Sequence, residues 1–222
     1  MKKVHISPDE SAAPKRLSEI CVIDDGKKSF DIELVVSQNA RINLNDDLVN
    51  LSGKVIITLH ENSFINYIFD STKNNKNKNI ERNLEIFLMC KGAEANVKFL
   101  CLGKDNRNYK FKTIQKHLAS HTKSELAFKN VLFDGSKITC ENLIRVEKNI
   151  SNICAIEEMK SLLIGEDVKV VAIPKLEVNA DDVSCRHGAA ISQLDSEQLF
   201  YLQSRGMTDE ESKKVLINSF LK

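Results

Sequence analysis

Cys185 and His187 stand two residues apart in V-S-C-R-H-G, the closest approach of a thiol to an imidazole anywhere in the chain. In a strand, residues at i and i+2 send their side chains to the same face. A thiolate beside an imidazole makes a soft to borderline donor pair, suited to iron, zinc or an iron-sulfur cluster. Two donors do not complete such a site. The spacing matches no zinc-finger pattern, so tetrahedral coordination needs ligands from elsewhere in the chain or from a second copy of it. The other reading of the pair is a buried thiol next to a hydrogen-bonded histidine.

Other residues of catalytic type are less well arranged. Asp181 and Asp182 are adjacent, which in a strand points them to opposite faces and makes a poor general acid and base. His117, His121, Thr122 and Ser124, in H-L-A-S-H-T-K-S, have the residue types of a hydrolytic cluster. No nucleophile elbow or glycine-rich oxyanion loop accompanies them, so polar turn structure is expected instead. The chain carries neither a P-loop nor G-x-G-x-x-G, which argues against nucleotide binding by the chain itself.

The elements that must position these residues are mostly strands. From Leu17 onward the sequence runs through EICVI, SFDIELVV, KVIITL, FINYIF, LEIFLM, ANVKFLCL, YKFKTI, KITC, NLIRV, KVVAI and KLEV, with breaks at Asp, Asn, Gly and Ser. Their apolar residues alternate with polar ones or form short runs, as strands do. Many strands with hardly a helical crossover leave a sandwich, a closed barrel or a parallel solenoid. Eight glycines and three prolines are few for tight hairpins, and type I′ signals are confined to Asp25-Gly26 and Asp134-Gly135. This favours the wide turns of a β-helix, although no fixed repeat period is visible. Residues 1–16 read as a flexible tail, 17–193 as the β-helix core and 194–222 as a helical element.

That last element has clear punctuation. Asp195 followed by Gln198 has the form of a capping box, Leu199, Leu202 and Phe200 supply an apolar face, and Gly206 suits a helix end. Thr208 with Asp209, Glu210 and Glu211 opens a second helix, striped by Val215, Leu216, Phe220 and Leu221. Such a hairpin either covers an open end of the β-layer or presents its aromatic residues to a partner.

Charge narrows the partners. Thirty-two basic and 31 acidic residues leave a formal +1, without the excess that accompanies binding to nucleic acid or a membrane surface. The polar run K-N-N-K-N-K-N from Lys73 to Asn79 lacks interleaved aromatics and reads as a solvated loop. The N-terminus has two lysines but no apolar run after them, so neither a signal peptide nor an anchor is expected, and a cytoplasmic location is. The six cysteines (Cys21, Cys90, Cys101, Cys140, Cys154 and Cys185) form no CxxC pair and are expected to be reduced, mostly buried thiols.

The stretch from Lys175 to Met207, K-L-E-V-N-A-D-D-V-S-C-R-H-G-A-A-I-S-Q-L-D-S-E-Q-L-F-Y-L-Q-S-R-G-M, closely resembles the carboxy-terminal signature of the SufB and SufD family, scaffold proteins of iron-sulfur cluster assembly. It is most similar to the SufD branch. Upstream, His117, His121, Thr122, Ser124, Lys129, Val131 and Leu132 resemble that family's H-x-x-x-H-T-x-S motif with its following lysine and V-L. Together the two matches cover most of residues 115–210. Residues 17–110 match in style only, with a loose L-x-x-x-G-A at Leu88, Gly92 and Ala93.

The resemblance implies a right-handed parallel β-helix that dimerises through its end strands, with itself or with a SufB-like subunit. It implies that Cys185 and His187 ligate iron or a transient iron-sulfur cluster at that interface. It further implies a SufC-like ATPase docked through Gln198, Leu199, Phe200, Tyr201 and Arg205, and no enzymatic turnover by the chain itself. Departures accompany the likeness. Family members are usually longer, and the resemblance leaves no room here for their amino-terminal helical region, so either a minimal form or a region supplied by another protein is expected. Gly188 replaces the glutamate that follows the histidine in SufB-type chains. Glu158 occupies the place of their sulfur-accepting cysteine, with Glu157 in place of a usual glutamine and Cys154 four residues earlier. Two readings from other classes stand beside this one. A β-helical polysaccharide lyase or hydrolase would need carboxylates and basic groups clustered on one sheet face, for which Asp181, Asp182 and Arg186 are the candidates. A structural solenoid would polymerise through its ends.

Overall fold

The alternation in the sequence becomes two parallel sheets in the computed structural model, which describes residues 2–8, 14–20, 29–72 and 77–222. In chain order the elements are β1 (Lys2–Ile6), β2 (Lys15–Arg16), α1 (Leu17–Ile20), β3 (Ser29–Val36), β4 (Arg41–Asp46), β5 (Ser52–Leu59), β6 (Phe64–Asp70) and β7 (Asn79–Leu88). They continue with β8 (Glu94–Gly103), β9 (Asn108–His117), β10 (Lys123–Phe133), β11 (Lys137–Val146), β12 (Ile153–Ile164), β13 (Lys169–Val178), β14 (Val183–Gln193), α2 (Ser196–Ser204) and α3 (Asp209–Leu221). Odd-numbered strands join in numerical order into one sheet and even-numbered strands into the other. Adjacent strands are parallel throughout. Each circuit of the chain thus adds one strand to each sheet, giving a parallel β-solenoid of about six turns.

The circuit length drifts, which is why the sequence shows no fixed period. In-register partners are 23 residues apart at Asn43 and Asn66, 29 at Thr113 and Asn142 and 31 at Asn130 and Ser161. The difference lies mostly in the strands, which lengthen from 6–8 residues in β3–β6 to 10–12 in β7–β14. One row of turns stacks a left-handed residue in successive circuits: Asn39, Asn62, Gly92, His121 and Asn152, with φ between 52° and 74°. Their amides link the circuits, Asn39 to Glu61 O, Asn62 to Lys91 O, Gly92 to His121 O, His121 to Ser151 O and Asn152 to Asp182 O. Asparagine and glycine tolerate this conformation best. At Gly92 a Cβ would also lie 2.2 Å from Asn62 Oδ1, which accounts for the glycine in L-x-x-x-G-A.

Apolar residues at every second position meet between the sheets. Phe69, Phe99 and Phe128 lie in register on neighbouring strands. Phe99 and Phe128 stack at 4.6 Å between ring centroids, and Phe111 reaches Phe99 from the opposite sheet at 4.9 Å. Nearer the N-terminal end the core encloses an ion pair, Arg82 Nε to Asp46 Oδ2 at 2.9 Å, with both side chains fully buried. Asp46 also accepts from the Tyr67 hydroxyl and the Leu48 amide, and the guanidinium lies 4.4 Å over Phe30.

Strands begin earlier than Leu17. Lys2–Ile6 pairs with β3 and Lys15–Arg16 with β4, inside the stretch read from sequence as a tail. Only Val4 and Ile6 mark β1 as amphipathic, and so short a run between lysines does not stand out. The expected strand EICVI begins instead inside α1, with Glu19 and Ile20 helical. Its remaining residues lie outside the described ones, as do Asp25-Gly26 and Lys73–Lys76. Asp134-Gly135 turns the chain from β10 to β11, which sit in different sheets, so no hairpin forms there.

The helical element follows its punctuation. Asp195 accepts from the amides of Glu197 and Gln198 at 2.8 and 3.2 Å, the acceptor half of the expected box. Gly206 has φ +91° and closes α2 as Met207 N–H reaches back to Leu202 O. At α3 the box is complete: Glu211 N–H donates to Thr208 Oγ1, and Thr208 N–H donates to Glu211 Oε2. α3 packs on β10, and a cleft between helix and strand ends is lined by Leu162, Leu194, Gln198, Leu216 and Phe220.

Candidate functional site

Cys185 and His187 lie on β14, the last strand of the even sheet. Register places Cys185 beside Ala155 and His187 beside Glu157, and both neighbours are core positions on β12, 0% and 4% exposed. The pair therefore shares the inward face. Cys185 is half-buried against the small apolar cluster of Ile144, Val146, Ile153 and Ala155, whereas His187 is exposed. Burial pushes the Cys185 thiol up, with Cys154 on the neighbouring strand adding to the effect. Burial thus favours the thiol form, and a metal ion bound at the sulfur would displace that proton.

The exposure of His187 comes from the end of the solenoid. Among the described residues no strand pairs with the outer edge of β13 or β14. Leu176, Val178 and Ile191 stand 38%, 38% and 53% exposed there. Pro174 is tolerated in β13 because an edge strand has amides with no partner to bond. The α2–α3 hairpin does not cover these residues.

Inside the last turns the core becomes polar. His117 is fully buried, its Nδ1 2.7 Å from Thr122 Oγ1 and its Nε2 2.9 Å from Ser124 Oγ. Thr122 spends its own proton on Ala119 O at 3.0 Å, so it must accept from Nδ1–H, and Nε2 accepts from Ser124. Burial lowers the imidazole pKa to about 4 and keeps it neutral. His121 is a left-handed turn residue, bonded through Nδ1 to Asn152 Nδ2 at 2.7 Å. The motif H-L-A-S-H-T-K-S thus locks a turn, as expected. Alongside it, Thr113 Oγ1 donates to Asn142 Oδ1 at 2.9 Å, and Asn142 Nδ2 donates to Glu157 Oε1 at 2.6 Å.

Asp181 and Asp182 are not in a strand but in the turn from β13 to β14, because the chain must reverse sheets between Val178 and Val183. Asp182 accepts there from the Asn152 amide. Arg186 lies exposed on β14. Lys160 pairs with Glu158 at 2.9 Å on the outer face. The five described cysteines are free thiols, Cys101 and Cys140 buried and Cys90, Cys154 and Cys185 half-buried; Cys21 lies outside the described residues. Among the described residues no three His, Cys, Asp or Glu side chains converge closely enough to hold an ion as they stand. No described helix is long and apolar enough to cross a membrane.

On α2, Leu199 and Leu202 are half-buried and Gln198 faces the cleft. Phe200 and Tyr201 point outward, 72% and 57% exposed, so Phe200 does not join the packed apolar face. Arg205 lies over the Tyr201 ring at 5.3 Å. On α3, Val215 is likewise exposed while Leu216, Phe220 and Leu221 carry the packing.

The family model for the SUF system FeS cluster assembly SufBD core domain matches residues 17–220. The chain belongs to the SufBD core family. It is 31% identical over 109 residues to the iron-sulfur cluster assembly protein SufD of Escherichia coli, covering 49% of this chain and 26% of that protein. It is 40% identical over 89 residues to protein ABCI7, chloroplastic, of Arabidopsis thaliana, covering 40% of this chain and 17% of the relative. The iron-sulfur cluster assembly protein SufB of Bacillus subtilis is 30% identical over 105 residues, 47% of this chain and 23% of that protein. The matched segments thus span about a quarter or less of these relatives. As a SufBD core, the solenoid belongs to a family involved with iron-sulfur clusters.

Sequence reasoning passed over one part of this end. The family likeness sets Glu157 in the place of a glutamine and says nothing of its direction. The signal was present, since in I-C-A-I-E-E-M the alternation that buries Ile153, Ala155 and Met159 also turns Glu157 inward.

Proposed function

We propose that the chain is a cytoplasmic scaffold component of SUF-type iron-sulfur cluster assembly, without turnover of its own. It pairs through β13 and β14 with a second copy or with a SufB-like subunit. The observation that carries this reading is the uncovered end of the solenoid, where two unpaired strand edges and the apolar residues Leu176, Val178 and Ile191 surround the inward-facing Cys185 and His187. Free edges of this kind are templates for pairing, and natural chains cover them. Iron or a nascent cluster is the cargo, held transiently at the junction by the Cys185 thiolate and the neutral imidazole of His187. Both donors must shed protons, so loading weakens as the pH falls.

The SufC-like ATPase docks on α2 through Gln198, Leu199, Phe200, Tyr201 and Arg205. Two aromatic side chains left in water on a capped helix support this, as does the packing of the hairpin on β10 instead of over the open end. Anaerobic reconstitution with iron and sulfide in the presence of the partner subunits tests the ligand pair: Cys185→Ala and His187→Ala are expected to lose cluster yield. Unchanged yield in both variants removes the pair from the reading. Sedimentation of the chain alone and with a SufB-like subunit reports which pairing forms.

A further inference from the structure

Glu157 occupies an unusual place. The inward column of the even sheet runs Leu44, Tyr67, Val97, Leu126, Glu157 and His187, each in register with the next. Four apolar or aromatic rungs are followed by a carboxylate that is only 4% exposed. A buried carboxylate is costly unless its oxygens find partners. Glu157 Oε1 has one, the Asn142 amide at 2.6 Å, and Asn142 is itself oriented by Thr113 at 2.9 Å. Glu157 Oε2 has no partner among the described residues. Toward the core the next rung is Leu126, which offers nothing to an oxygen. Toward the open end it is His187, and Glu157 and His187 together line a cleft of about 380 Å³ with Ile156, Glu158, Arg186 and Gly188.

We propose that Glu157 is a third donor, whose free Oε2 joins the Cys185 sulfur and the His187 imidazole on one divalent, iron-class cation at the mouth of the solenoid. The inference rests on the ligand reading of Cys185 and His187 and adds to it a group from inside the fold. One thiolate, one carboxylate and one neutral imidazole balance a doubly charged ion, which limits the cost of placing charge at a half-buried position. On binding, the Cys185 S–H proton leaves to solvent and a sulfur–metal bond takes its place. The Thr113–Asn142–Glu157 chain plays the part of the outer hydrogen bonds that orient metal ligands elsewhere. The set is not preassembled, and the exposed His187 side chain must turn toward Glu157. A fourth coordination position stays open for a donor from the paired subunit or for sulfide.

Anaerobic titration of the full chain with Co²⁺, an optical stand-in for Fe²⁺, tests this. Wild type is expected to develop a thiolate-to-cobalt charge-transfer band together with d–d bands. Glu157→Gln keeps the shape and the Asn142 bond but removes the charge. Losing an outer-shell partner alone typically weakens binding by about 10–100-fold, so Glu157→Gln is expected to weaken Co²⁺ at least about tenfold while the charge-transfer band persists at saturation. Glu157→Asp is expected to recover part of the loss. A Glu157→Gln melting temperature at or above wild type shows that the fold is intact. Wild-type affinity in Glu157→Gln, with binding lost in Cys185→Ser and His187→Ala, overturns this inference and leaves the ligand pair standing. Binding unaffected in all three variants, or no Co²⁺ uptake by wild type, overturns the pair and this inference with it.

Discussion

Asp46 and Glu157 are both carboxylates turned into the interior of the same sheet, and they are treated in opposite ways. Asp46 uses both oxygens, with Arg82, the Tyr67 hydroxyl and the Leu48 amide around it. Its charge is matched, and Phe30 and Phe69 lie under the guanidinium. Glu157 has a single neutral donor and one idle oxygen, and burial pushes its carboxyl up against the opposing pulls of Asn142 and His187. The first carboxylate has its counter-charge inside the fold, although Arg82 Nη1 is left without a hydrogen-bond partner among the described residues; the second has no cation beside it in the core. An idle buried atom is not by itself a site, since Gln115 and Asn130 also hold such atoms, and what sets Glu157 apart is its charge and its place next to the open end.

The sharpest way to break this contrast is to remove Asp46. Asp46→Ala strands a buried guanidinium and is expected to destabilise by about 3–5 kcal/mol in urea unfolding. A loss under about 1 kcal/mol would show that water rescues Arg82 and that the two carboxylates are alike. His117 comes next. Its pKa is lowered from 6.5 to about 4 in the folded chain, so the unfolded chain takes up the proton first. Its contribution is fully present above pH 6.5 and is lost as the pH falls toward 4, by about 3 kcal/mol in all. Denaturant midpoints measured from pH 7.5 to 4 check this, and His117→Gln should flatten that part of the slope.

Glu157→Leu replaces the carboxylate by the residue type of its rung neighbour. Stability should stay level or rise by about 1 kcal/mol, the reverse of Asp46→Ala, although Asn142 then loses its acceptor. A loss of several kcal/mol in the same melting series would place Glu157 with Asp46 among the structural groups. The smallest effect on stability is expected at α2. Phe200→Ala should change unfolding by less than about 0.5 kcal/mol yet weaken pull-down of a SufC-like ATPase, and a variant that binds as wild type removes Phe200 from the docking surface.

The strands were legible because alternation survives in each of them, and the caps at Asp195 and Thr208 because capping chemistry is local. Cys185 and His187 were readable as a same-face pair for the same reason. The turn at His117, Thr122 and Ser124 was readable because its partners lie within seven residues. Most of what stayed hidden depends on residues brought together by the fold. Asp46 and Arg82 are 36 residues apart, and nothing local links them. The strand Lys2–Ile6 is held by pairing with β3, not by its own propensity. The turn at Asp181 and Asp182 is set by the change of sheet, and the exposure of Phe200 by which side of α2 the cleft occupies.

Parallel stacking gives each circuit only two neighbours, the one before and the one after, so resistance to opening is not shared evenly along the axis. Strands such as β8 and β10 are clasped on both sides, while β13 and β14 are clasped on one. Amide protons in these last two strands should therefore exchange with solvent well before those in the middle. The open end of the solenoid is thereby expected to be the part of the stack that loosens ahead of its middle.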